Sequence, residues 1–375
     1  MEQGEKLPGR VRFVTTYPPT NCGIATYSSQ YVDAIGKLCE VSVEPLELGN
    51  KNPLYFIRLA ARARKGADLV HVQYELALFG ERGICTLLFY PVLRLFGGPA
   101  VVTTVHDFWD VRKTYDKRLL YWPMRIFFTA IWQSIVLCSD TIMVHTEMFK
   151  EKVSQYGGTG KVDVVPQACL VRPPRLPQDS CKAKLGLSDK RIVTVFGYVN
   201  ALKGHDLAIE AMQGMPEDVI LYIAGDARIP ADRPYADSLR NLTKSLGVED
   251  GVIFHGYVRD EDAPMVICAS DILLLPYRYV AQSASMNYSL AYGKPVLASD
   301  LPGFAEIAGK YGCIELFRSE SVPDLREKLV WLLSDAGLTA RLSRNVDSYC
   351  SAVGLDMIAG QIVEKYRLIL TGKNK

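Results

Sequence analysis

The feature that most constrains the fold of this 375-residue chain is a regular alternation of apolar runs with segments of helical periodicity. Short runs at 11–16, 69–73 and 100–105 are rich in valine, which is typical of strands buried on both faces. Helical spacing follows the strand runs, for example at 23–35 and 124–137. Strands that alternate with helices form βαβ units, so the sequence predicts an α/β fold with parallel sheets and right-handed crossovers.

The alternation is interrupted once and then restarts, which indicates two domains. Residues 171–179 contain three prolines, a composition typical of an interdomain linker. The chain length also suits two domains of roughly 150–200 residues each. We therefore predict an N-terminal Rossmann-like domain at 1–170, a linker at 171–180 and a second Rossmann-like domain at 181–350. A C-terminal helix within 351–375 could pack back on the first domain.

Charge and cysteine usage exclude several classes of protein. The formal net charge of +2 argues against a general nucleic-acid binder. Nine scattered cysteines, with no CxxC pair, argue against a zinc knuckle or a disulfide framework and favour a reducing cytoplasm. The first ten residues are polar and lack the apolar core of a signal peptide. No apolar run reaches the roughly 18 residues of a membrane-spanning helix. The sequence predicts a cytoplasmic protein.

Two strand ends in the first half carry candidate ligand-binding residues, because ligands of parallel sheets bind at the carboxyl ends of the strands. Gly23 would let the loop backbone approach a ligand at the start of the first helix, where anions are favoured. An ordinary strand-to-helix turn explains this glycine equally well. His106 follows the strand at 100–105 and is poised for hydrogen bonding or proton handling near neutral pH. A structural loop histidine is the alternative.

Two further strand ends in the second half suit a phosphate group. Lys203 lies at a loop tip after the strand at 192–196 and could meet a diphosphate as a point charge. A solvated surface lysine is the alternative. The residues Ser283 to Ser285 open a helix whose free N–H groups and dipole would hold a phosphate, and Arg278 could add charge. Simple capping of that helix is the alternative.

Several short motifs follow one another in a characteristic order along nearly the whole chain. They are Tyr17-Pro18-Pro19 with Cys22-Gly23, Val70-His71-Val72-Gln73-Tyr74-Glu75, Thr104-Val105-His106-Asp107, Gly197 with Lys203-Gly204, Phe254-His255-Gly256-Tyr257-Val258, Pro276-Tyr277-Arg278 with Gln282-Ser283, and Gly293-Lys294-Pro295. In this order and spacing the sequence resembles glycosyltransferase family 4, the retaining enzymes of the GT-B fold. That resemblance implies two Rossmann-like domains whose parallel sheets face each other across a cleft.

The resemblance also implies roles for individual residues. The second domain would bind a nucleotide diphosphate sugar, and the first would bind the acceptor. His106 would lie beside the transferred sugar, and Lys203 would neutralise the diphosphate leaving group. The implied donor-binding residues are Gly23, Gly197, Tyr257, Val258, Gln282, Ser283, Ala284, Ser285 and Tyr288, and the implied acceptor residues are Tyr74, Glu75 and Asp107.

The sequence departs from the family pattern in two respects. Family members often carry two glutamates eight positions apart, but Val280 and Tyr288 stand there, as in a branch with a Gln-Ser motif. Tyr198 also replaces the usual arginine after Gly197. We expect Arg278 to supply the missing charge and to join His106 in catalysis. The missing carboxylates leave open a non-catalytic protein that binds a sugar nucleotide.

The expected reaction needs no metal and no cofactor. No Asp-x-Asp motif follows a suitable strand, so cationic side chains and a helix N-terminus would hold the diphosphate instead. By resemblance the enzyme would retain the anomeric configuration while transferring a hexose to a glycan or lipid-linked acceptor. GDP-mannose is favoured over UDP-glucose as the donor. A phosphorylase or an epimerase on the same fold is a further alternative.

Residues 109–128 interleave basic and aromatic side chains, from Trp109 to Phe128. This pattern suits the interface of a bilayer. It predicts peripheral contact with the inner face of the cell membrane, which would suit polysaccharide or glycolipid synthesis. A loop that leads into a core helix is the alternative.

Overall fold

The computed structural model describes residues 7–20, 22–108, 118–169, 175–279 and 283–372. Contacts between residues divide the chain into two compact units. The first unit combines Met1–Gln167 with Leu355–Lys375, and the second is Ala168–Gly354. Each unit contains one six-stranded sheet in which every pair of neighbouring strands is parallel. The predicted α/β class with parallel sheets is confirmed.

The first sheet has the strand order β2-β1-β3-β4-β5-β6. Its strands are β1 (Leu7–Thr15), β2 (Cys39–Pro45), β3 (Leu69–Tyr74), β4 (Ala100–Val105), β5 (Thr141–Val144) and β6 (Val162–Val164). The strands β3 and β5 are buried along their whole length, because helices cover both faces of a parallel sheet. The strand order reverses between β1 and β3, and such a reversal opens a crevice at the carboxyl edge.

The described residues of the first unit also form six α-helices. They are α1 (Gly23–Gly36), α2 (Pro53–Arg64), α3 (Thr86–Arg94), α4 (Arg118–Cys138), α5 (Glu147–Ser154) and, at the end of the chain, α14 (Leu355–Leu370). Side-chain caps fix several helix starts. The Thr146 hydroxyl, for example, caps α5 by accepting a hydrogen bond from the Phe149 N–H.

The first unit has an aromatic core. Phe79 lies against Tyr74, Phe89 and Tyr90 with ring centroids 5.0–6.3 Å apart. Trp132 from α4 joins them through an edge contact with Tyr74. Aromatic side chains of this size dominate the apolar area that a core buries.

Helix α14 packs in the first unit, although it follows the second unit in sequence. It contacts α1, and its Ile358, Ile362 and Tyr366 are buried. Lys365 forms an ion pair with Asp163 at the end of the sheet. The last residues therefore complete the core of a unit whose other part ends nearly 200 residues earlier.

The second sheet has the order β12-β11-β10-β7-β8-β9. Its strands are β7 (Arg191–Phe196), β8 (Val219–Ala224), β9 (Val252–Phe254), β10 (Ile272–Leu275), β11 (Val296–Ser299) and β12 (Glu315–Phe317). Its helices are α6 (Gln178–Lys184), α7 (His205–Ala211), α8 (Arg233–Leu246), α9 (Ala263–Ala269), α10 (Ala284–Ala291), α11 (Pro302–Tyr311), α12 (Val322–Ser334) and α13 (Ala336–Ala352). The order reverses between β7 and β10, so the loops after these strands meet at one place.

The structure adds helices that the sequence pattern did not predict. Helix α6 begins inside the proposed linker, and α11 begins at Pro302, where proline is favoured in the first helical turn. Helix α13 runs to Ala352, so residues 351 and 352 do not belong to the last helix. The last helix begins at Leu355, within the segment 351–375 in which the sequence predicts it.

Candidate functional site

The first candidate surface is the carboxyl edge of the first sheet, beginning at the loop after β1. The Cys22 thiol caps α1 by accepting from the Ala25 N–H. Gly23 is exposed, and no heavy atom lies within 4 Å of the position that a Cβ would occupy. The N–H groups of Gly23 and Ile24 have no acceptor among the described residues. This open helix start could therefore donate two hydrogen bonds to an anion.

His106 lies directly after β4 at the same edge. Its Nε2 is 2.6 Å from Oε1 of Gln73, the penultimate residue of β3. The Tyr27 ring on α1 contacts His106 edge-on, with centroids 5.3 Å apart. The imidazole therefore lies between the ends of β3 and β4 and the first turns of α1. This is the edge at which the sequence places a ligand-binding histidine.

The surroundings of His106 keep its imidazole neutral. Burial lowers the pKa of His106 well below its ordinary value, and the neighbouring His145 and His71 lower it further. A neutral imidazole carries one proton. Because the Gln73 oxygen can only accept, that proton is on Nε2, and Nδ1 keeps its lone pair. His106 is thus suited to accept a hydrogen bond from a polar group of a ligand.

His145 is a second histidine at this edge that the motif analysis did not single out. It follows β5, and its ring centroid is 5.2 Å from that of His106. Its Nδ1 donates to the Val165 carbonyl at 2.8 Å, whereas its buried Nε2 has no partner among the described residues. Burial lowers the pKa of His145 to about 4. Like His106, His145 comes directly after a strand, and this position is the sequence feature that could have identified it as a site residue.

The three predicted acceptor residues have different surroundings. The Tyr74 side chain is fully buried, and its hydroxyl is 3.2 Å from that of Thr86. It therefore belongs to the aromatic core and is closed to an acceptor, which corrects our expectation for its side chain. Glu75 and Asp107 are partly exposed just beyond the ends of β3 and β4, and Asp107 accepts from the Phe108 N–H at 2.7 Å.

The second candidate surface is the edge of the second sheet where β7 and β10 end. Gly197 follows β7 with a φ of 108°, a conformation that favours glycine. A Cβ at this position would lie 2.8 Å from Lys203 Nζ and 2.9 Å from Ser285 Oγ. An ammonium, a hydroxyl and an exposed stretch of backbone therefore meet where the strand order reverses. The structure brings together three residues that the sequence predicts to bind the donor.

Lys203 presents a cation that is not neutralised by a neighbour. It ends a one-turn 3-10 helix, Ala201–Lys203, and its ammonium lies 5.5 Å from the centre of the Tyr277 ring. None of the ion pairs found among the described residues includes Lys203. An uncompensated ammonium beside open backbone is a suitable partner for a phosphate.

The start of α10 completes this edge. Ser283 is the N-cap and accepts from the Met286 N–H at 3.0 Å, so the capping that the sequence analysis gave as the alternative is present. The N–H groups of Ala284 and Ser285 have no acceptor among the described residues. Tyr288, one turn further along, stacks on Phe196 with ring centroids 6.0 Å apart. Gln282 lies outside the described residues.

Arg278 is engaged in ion pairs, which changes our expectation for it. Its guanidinium donates to both carboxylate oxygens of Asp206 at 2.7 and 2.8 Å, and it forms a third contact of 2.8 Å with Glu320. It also donates to the Ala201 carbonyl at 3.0 Å. The charge of Arg278 is therefore neutralised inside the protein, and the side chain ties the loops after β7 and β10 together. It is poorly placed to replace the arginine missing at Tyr198.

Arg228 is a better candidate for that missing charge, and the sequence analysis did not identify it. It lies in the loop after β8 and is exposed. Its guanidinium lies 5.2 Å from the centre of the Tyr198 ring, a cation–π contact. No ion pair of the described residues includes it. The tyrosine at position 198 thus holds a guanidinium that comes from the neighbouring strand, a relationship without any local signature in the sequence.

Two of the implied donor-binding residues, Tyr257 and Val258, differ in exposure. Tyr257 is 52% exposed, whereas Val258 is buried. Both lie in the loop after β9, next to His255, which accepts from or donates to the Tyr222 hydroxyl at 2.7 Å. The exposed Tyr257 ring is available for stacking, and Val258 can offer only its backbone.

The described part of the chain contains no cluster of three or more His, Cys, Asp or Glu side chains that could hold a metal ion. Within the same residues, no helix combines the length and apolarity needed to cross a bilayer. The nine cysteines, all of which lie within the described residues, form no disulfide bond with one another.

Two α/β units, each with candidate ligand-binding groups at the carboxyl edge of a parallel sheet, are typical of GT-B glycosyltransferases. Residues 27–168 match the family described as Glycosyltransferase Family 4, and residues 178–348 match Glycosyl transferases group 1. The chain therefore carries, in that order, one region that is similar to each of these two families of glycosyltransferases.

Proteins with similar sequences are also named as glycosyltransferases. The D-inositol 3-phosphate glycosyltransferase of Xylanimonas cellulosilytica is 26% identical over 251 residues, which cover 62% of this chain and 58% of that enzyme. The 2-deoxystreptamine glucosyltransferase of Streptomyces kanamyceticus is 26% identical over 335 residues, 84% of this chain and 80% of that enzyme. The chain thus spans little more than half of the first relative.

Solved structures show the same fold at low sequence identity. Anabaena HepE in complex with UDP has a TM-score of 0.76 at 16% identity, and the match covers 95% of this chain and 99% of HepE. Sucrose-phosphate synthase from Thermosynechococcus elongatus has a TM-score of 0.77 at 17% identity, covering 97% and 99%. The predicted GT-B fold class is confirmed.

Proposed function

We propose that this protein transfers a hexose from a nucleotide diphosphate sugar to a glycan or lipid-linked acceptor. The observation that carries the proposal is the meeting of Lys203 Nζ and Ser285 Oγ at Gly197, beside the open start of α10. A diphosphate is the chemical group that such a cation, hydroxyl and pair of N–H groups bind best. The UDP and UDP-glucose complexes of HepE, which has the same fold, support a sugar-nucleotide donor.

In the proposed reaction, the donor's bond between the anomeric carbon and the diphosphate oxygen breaks. The acceptor oxygen bonds to the same carbon on the same face, and its proton moves to the leaving phosphate. Lys203 and the N–H groups of α10 stabilise the charge that develops on that phosphate. Arg228, held on the Tyr198 ring, adds a second cation. Neutral His106 accepts a hydrogen bond from the transferred sugar through Nδ1.

A thermal-shift screen of nucleoside diphosphates and sugar nucleotides tests the donor. We propose GDP-mannose as the donor, with UDP-glucose as the comparison. The matching sugar nucleotide should raise the melting temperature, with or without EDTA. Transfer would then be followed with that donor, and the anomeric configuration of the product read by NMR. If no sugar nucleotide changes the melting temperature, the proposal is wrong.

His106→Ala provides the catalytic test. We expect it to bind the donor but to lose most of the transfer rate. Binding without transfer by the wild-type protein itself would instead identify a non-catalytic sugar-nucleotide-binding protein. Sugar release from a glycan by phosphate, without any nucleotide, would identify a phosphorylase.

We further propose that α3 and α4 contact an anionic lipid surface. Trp122 and Ile126 are more than half exposed on α4, and Phe96 is 93% exposed directly after α3, which packs against α4. The Arg125 guanidinium lies 5.2 Å from the centre of the Trp122 ring. Exposed apolar side chains next to cations are typical of interfacial binding. Residues 109–117, which hold more of the basic and aromatic side chains, lie outside the described residues.

Co-sedimentation with vesicles of anionic and of neutral lipid tests this surface. The double variant Trp122→Ser with Ile126→Ser should lose binding to anionic vesicles. The matched control, Trp331→Ser with Met357→Ser, removes two similarly exposed side chains elsewhere and should bind like the wild type. Absence of wild-type binding at low salt would refute the lipid contact.

A further inference from the structure

A continuous series of buried hydrogen bonds connects His106 to the C-terminal helix. Gln73 Oε1 accepts from His106 Nε2 at 2.6 Å, and the other amide atom, Gln73 Nε2, lies 3.3 Å from Nε2 of His71. His71 Nε2 is also 2.7 Å from the Thr104 hydroxyl. The other ring nitrogen of His71, Nδ1, contacts the hydroxyl of Tyr366 on α14.

The direction of each hydrogen bond follows from its neighbours. The Gln73 amide nitrogen can only donate, so Nε2 of His71 is an acceptor. Burial lowers the pKa of His71 to about 3, which leaves one proton on the ring. That proton must lie on Nδ1, from which it is donated to the Tyr366 oxygen. With the Gln73 oxygen facing His106 and its nitrogen facing His71, the series therefore has one consistent arrangement from Tyr366 to His106.

This arrangement determines which nitrogen of His106 is protonated. If the Gln73 amide were reversed, its nitrogen would face His106 and its oxygen would face the unprotonated Nε2 of His71, so two acceptors would meet. Such a reversal would require the proton of His71 to move to Nε2 and the Tyr366 hydroxyl, which can donate or accept, to donate to Nδ1. The orientation of the Gln73 amide and the tautomers of the two histidines therefore change together. The residues of the series are at most 4% exposed, apart from His106 itself, so water does not replace a missing member.

Resting on the proposed function, we infer that Gln73, His71 and Tyr366 are positioning residues that hold His106 as the Nε2-protonated tautomer, with the Nδ1 lone pair directed to the donor sugar. The role of α14 is then more than packing. It supplies Tyr366, the last member of the series, which contacts His71 from 295 residues away in sequence.

NMR of the ring nitrogens in ¹⁵N-histidine-labelled protein tests the inference without any substrate. The chain has five histidines, so substitution of one at a time assigns the signals. Wild-type His106 should give the pattern of a ring protonated on Nε2. Gln73→Leu should shift His106 toward a mixture of tautomers, and Gln73→Glu, which keeps an acceptor facing His106, should restore proton occupancy of Nε2.

Steady-state kinetics give the second readout. Tyr366→Phe removes one oxygen and should lower kcat by about tenfold, with KM for the donor nearly unchanged, as expected for a lost supporting hydrogen bond. The matched control is Tyr90→Phe, which removes a buried hydroxyl 3.1 Å from that of Thr103 in the same unit but outside the series. It should keep the wild-type kcat.

The outcomes separate the two proposals. An unchanged His106 tautomer in Gln73→Leu, or equal kcat values for Tyr366→Phe and Tyr90→Phe, would overturn the positioning role. A wild-type protein that binds no sugar nucleotide would overturn the proposed function instead, while the NMR pattern would still decide whether the series orients His106.

Discussion

At the scale of single residues, the neighbours of a cation decide what it can do. Lys203 and Arg278 both follow strands at the edge of the second sheet, and the sequence suggests the same phosphate-binding role for both. In the structure Arg278 is neutralised by Asp206 and Glu320, whereas Lys203 lies beside open backbone. Only the three-dimensional arrangement distinguishes a structural ion pair from an available charge.

Lys203→Met, which keeps the length of the side chain but removes its charge, should weaken binding of the nucleoside diphosphate by at least about tenfold, the effect of losing one charge-assisted hydrogen bond. The affinity is measurable by calorimetry. Lys244→Met removes an exposed lysine from α8 and serves as the control. Equal affinities for the two variants would exclude Lys203 from the phosphate site.

Arg278→Gln and Arg228→Gln should have opposite effects. Loss of Arg278 leaves the half-buried Asp206 without its cation and should reduce the free energy of unfolding by about 1–3 kcal/mol. Loss of the exposed Arg228 should leave stability unchanged and weaken donor binding by about fivefold, a loss of roughly 1 kcal/mol. Denaturant unfolding and calorimetry measure the two quantities. The reverse pattern would restore Arg278 as the donor-binding cation.

At the scale of elements, the turn before α7 connects two loops of the proposed donor site. Gly204 has a φ of 63°, and a Cβ there would lie 1.9 Å from the Pro276 carbonyl oxygen. The Arg278 N–H also donates to the Leu202 carbonyl at 2.8 Å. The one-turn helix that carries Lys203 is therefore pressed against the loop after β10, and Gly204 is the residue that permits this close approach.

Gly204→Ala should destabilise the protein far more than Gly214→Ala. Both glycines have a positive φ, which costs alanine about 1–2 kcal/mol, but a Cβ at Gly214 would meet no atom within 4 Å. The difference in the free energy of unfolding therefore measures the backbone clash at Pro276. We expect Gly204→Ala also to weaken donor binding, because Lys203 must move. Equal destabilisation by the two substitutions would show that the loops separate freely.

At the scale of the whole molecule, buried histidines are concentrated in the first unit. Burial lowers the pKa of His71 to about 3 and that of His145 to about 4, and the pKa of His106 is also well below its ordinary value. In the second unit, burial lowers the pKa of His205 to about 3. Each of these rings is neutral in the folded protein at a pH where the unfolded chain would protonate it.

The first unit should therefore lose stability first in mild acid. The unfolded chain binds protons below about pH 6.5, while the folded rings do not until pH 4 or lower. Above about pH 6.5 these rings do not reduce the free energy of unfolding. As the pH falls from this value toward the pKa of a ring in the folded protein, that ring lowers the free energy of unfolding by about 1.4 kcal/mol per pH unit. Three such histidines destabilise the first unit in acid, whereas only His205 does so among the described residues of the second unit.

Hydrogen exchange of amides at pH 7 and pH 5, corrected for intrinsic rates, measures this difference. Protection of β3 and β4 should decrease more than that of β7 and β8. In His145→Gln the decrease in the first unit should become about one third smaller, because one of three rings is lost. Equal losses in the two units would contradict the assignment of these neutral histidines.

Much of the architecture could be predicted from the sequence because the signals are local. Valine-rich runs such as 100–105 predict buried parallel strands, and Thr146 predicts a helix start, since periodicity and capping depend on neighbouring residues. Helix α6 was missed because its seven residues are too few to display a periodicity. Helix α13 was missed although Leu338, Leu342 and Val346 stand at helical spacing in it. The convergence of Lys203, Ser285 and Gly197 was predicted only through motifs, since these residues are up to 88 positions apart.

The sequence by itself determined the alternation of strands and helices, the position of His106 and Lys203 at strand ends, and the family motifs. These features depend on short-range spacing, which one chain displays directly. The tertiary structure decided which cations remain unpaired, that Tyr74 is buried, and that Tyr366 ends a series of hydrogen bonds to His106. Those facts depend on contacts between distant segments, because charge compensation and burial depend on what surrounds a side chain in space.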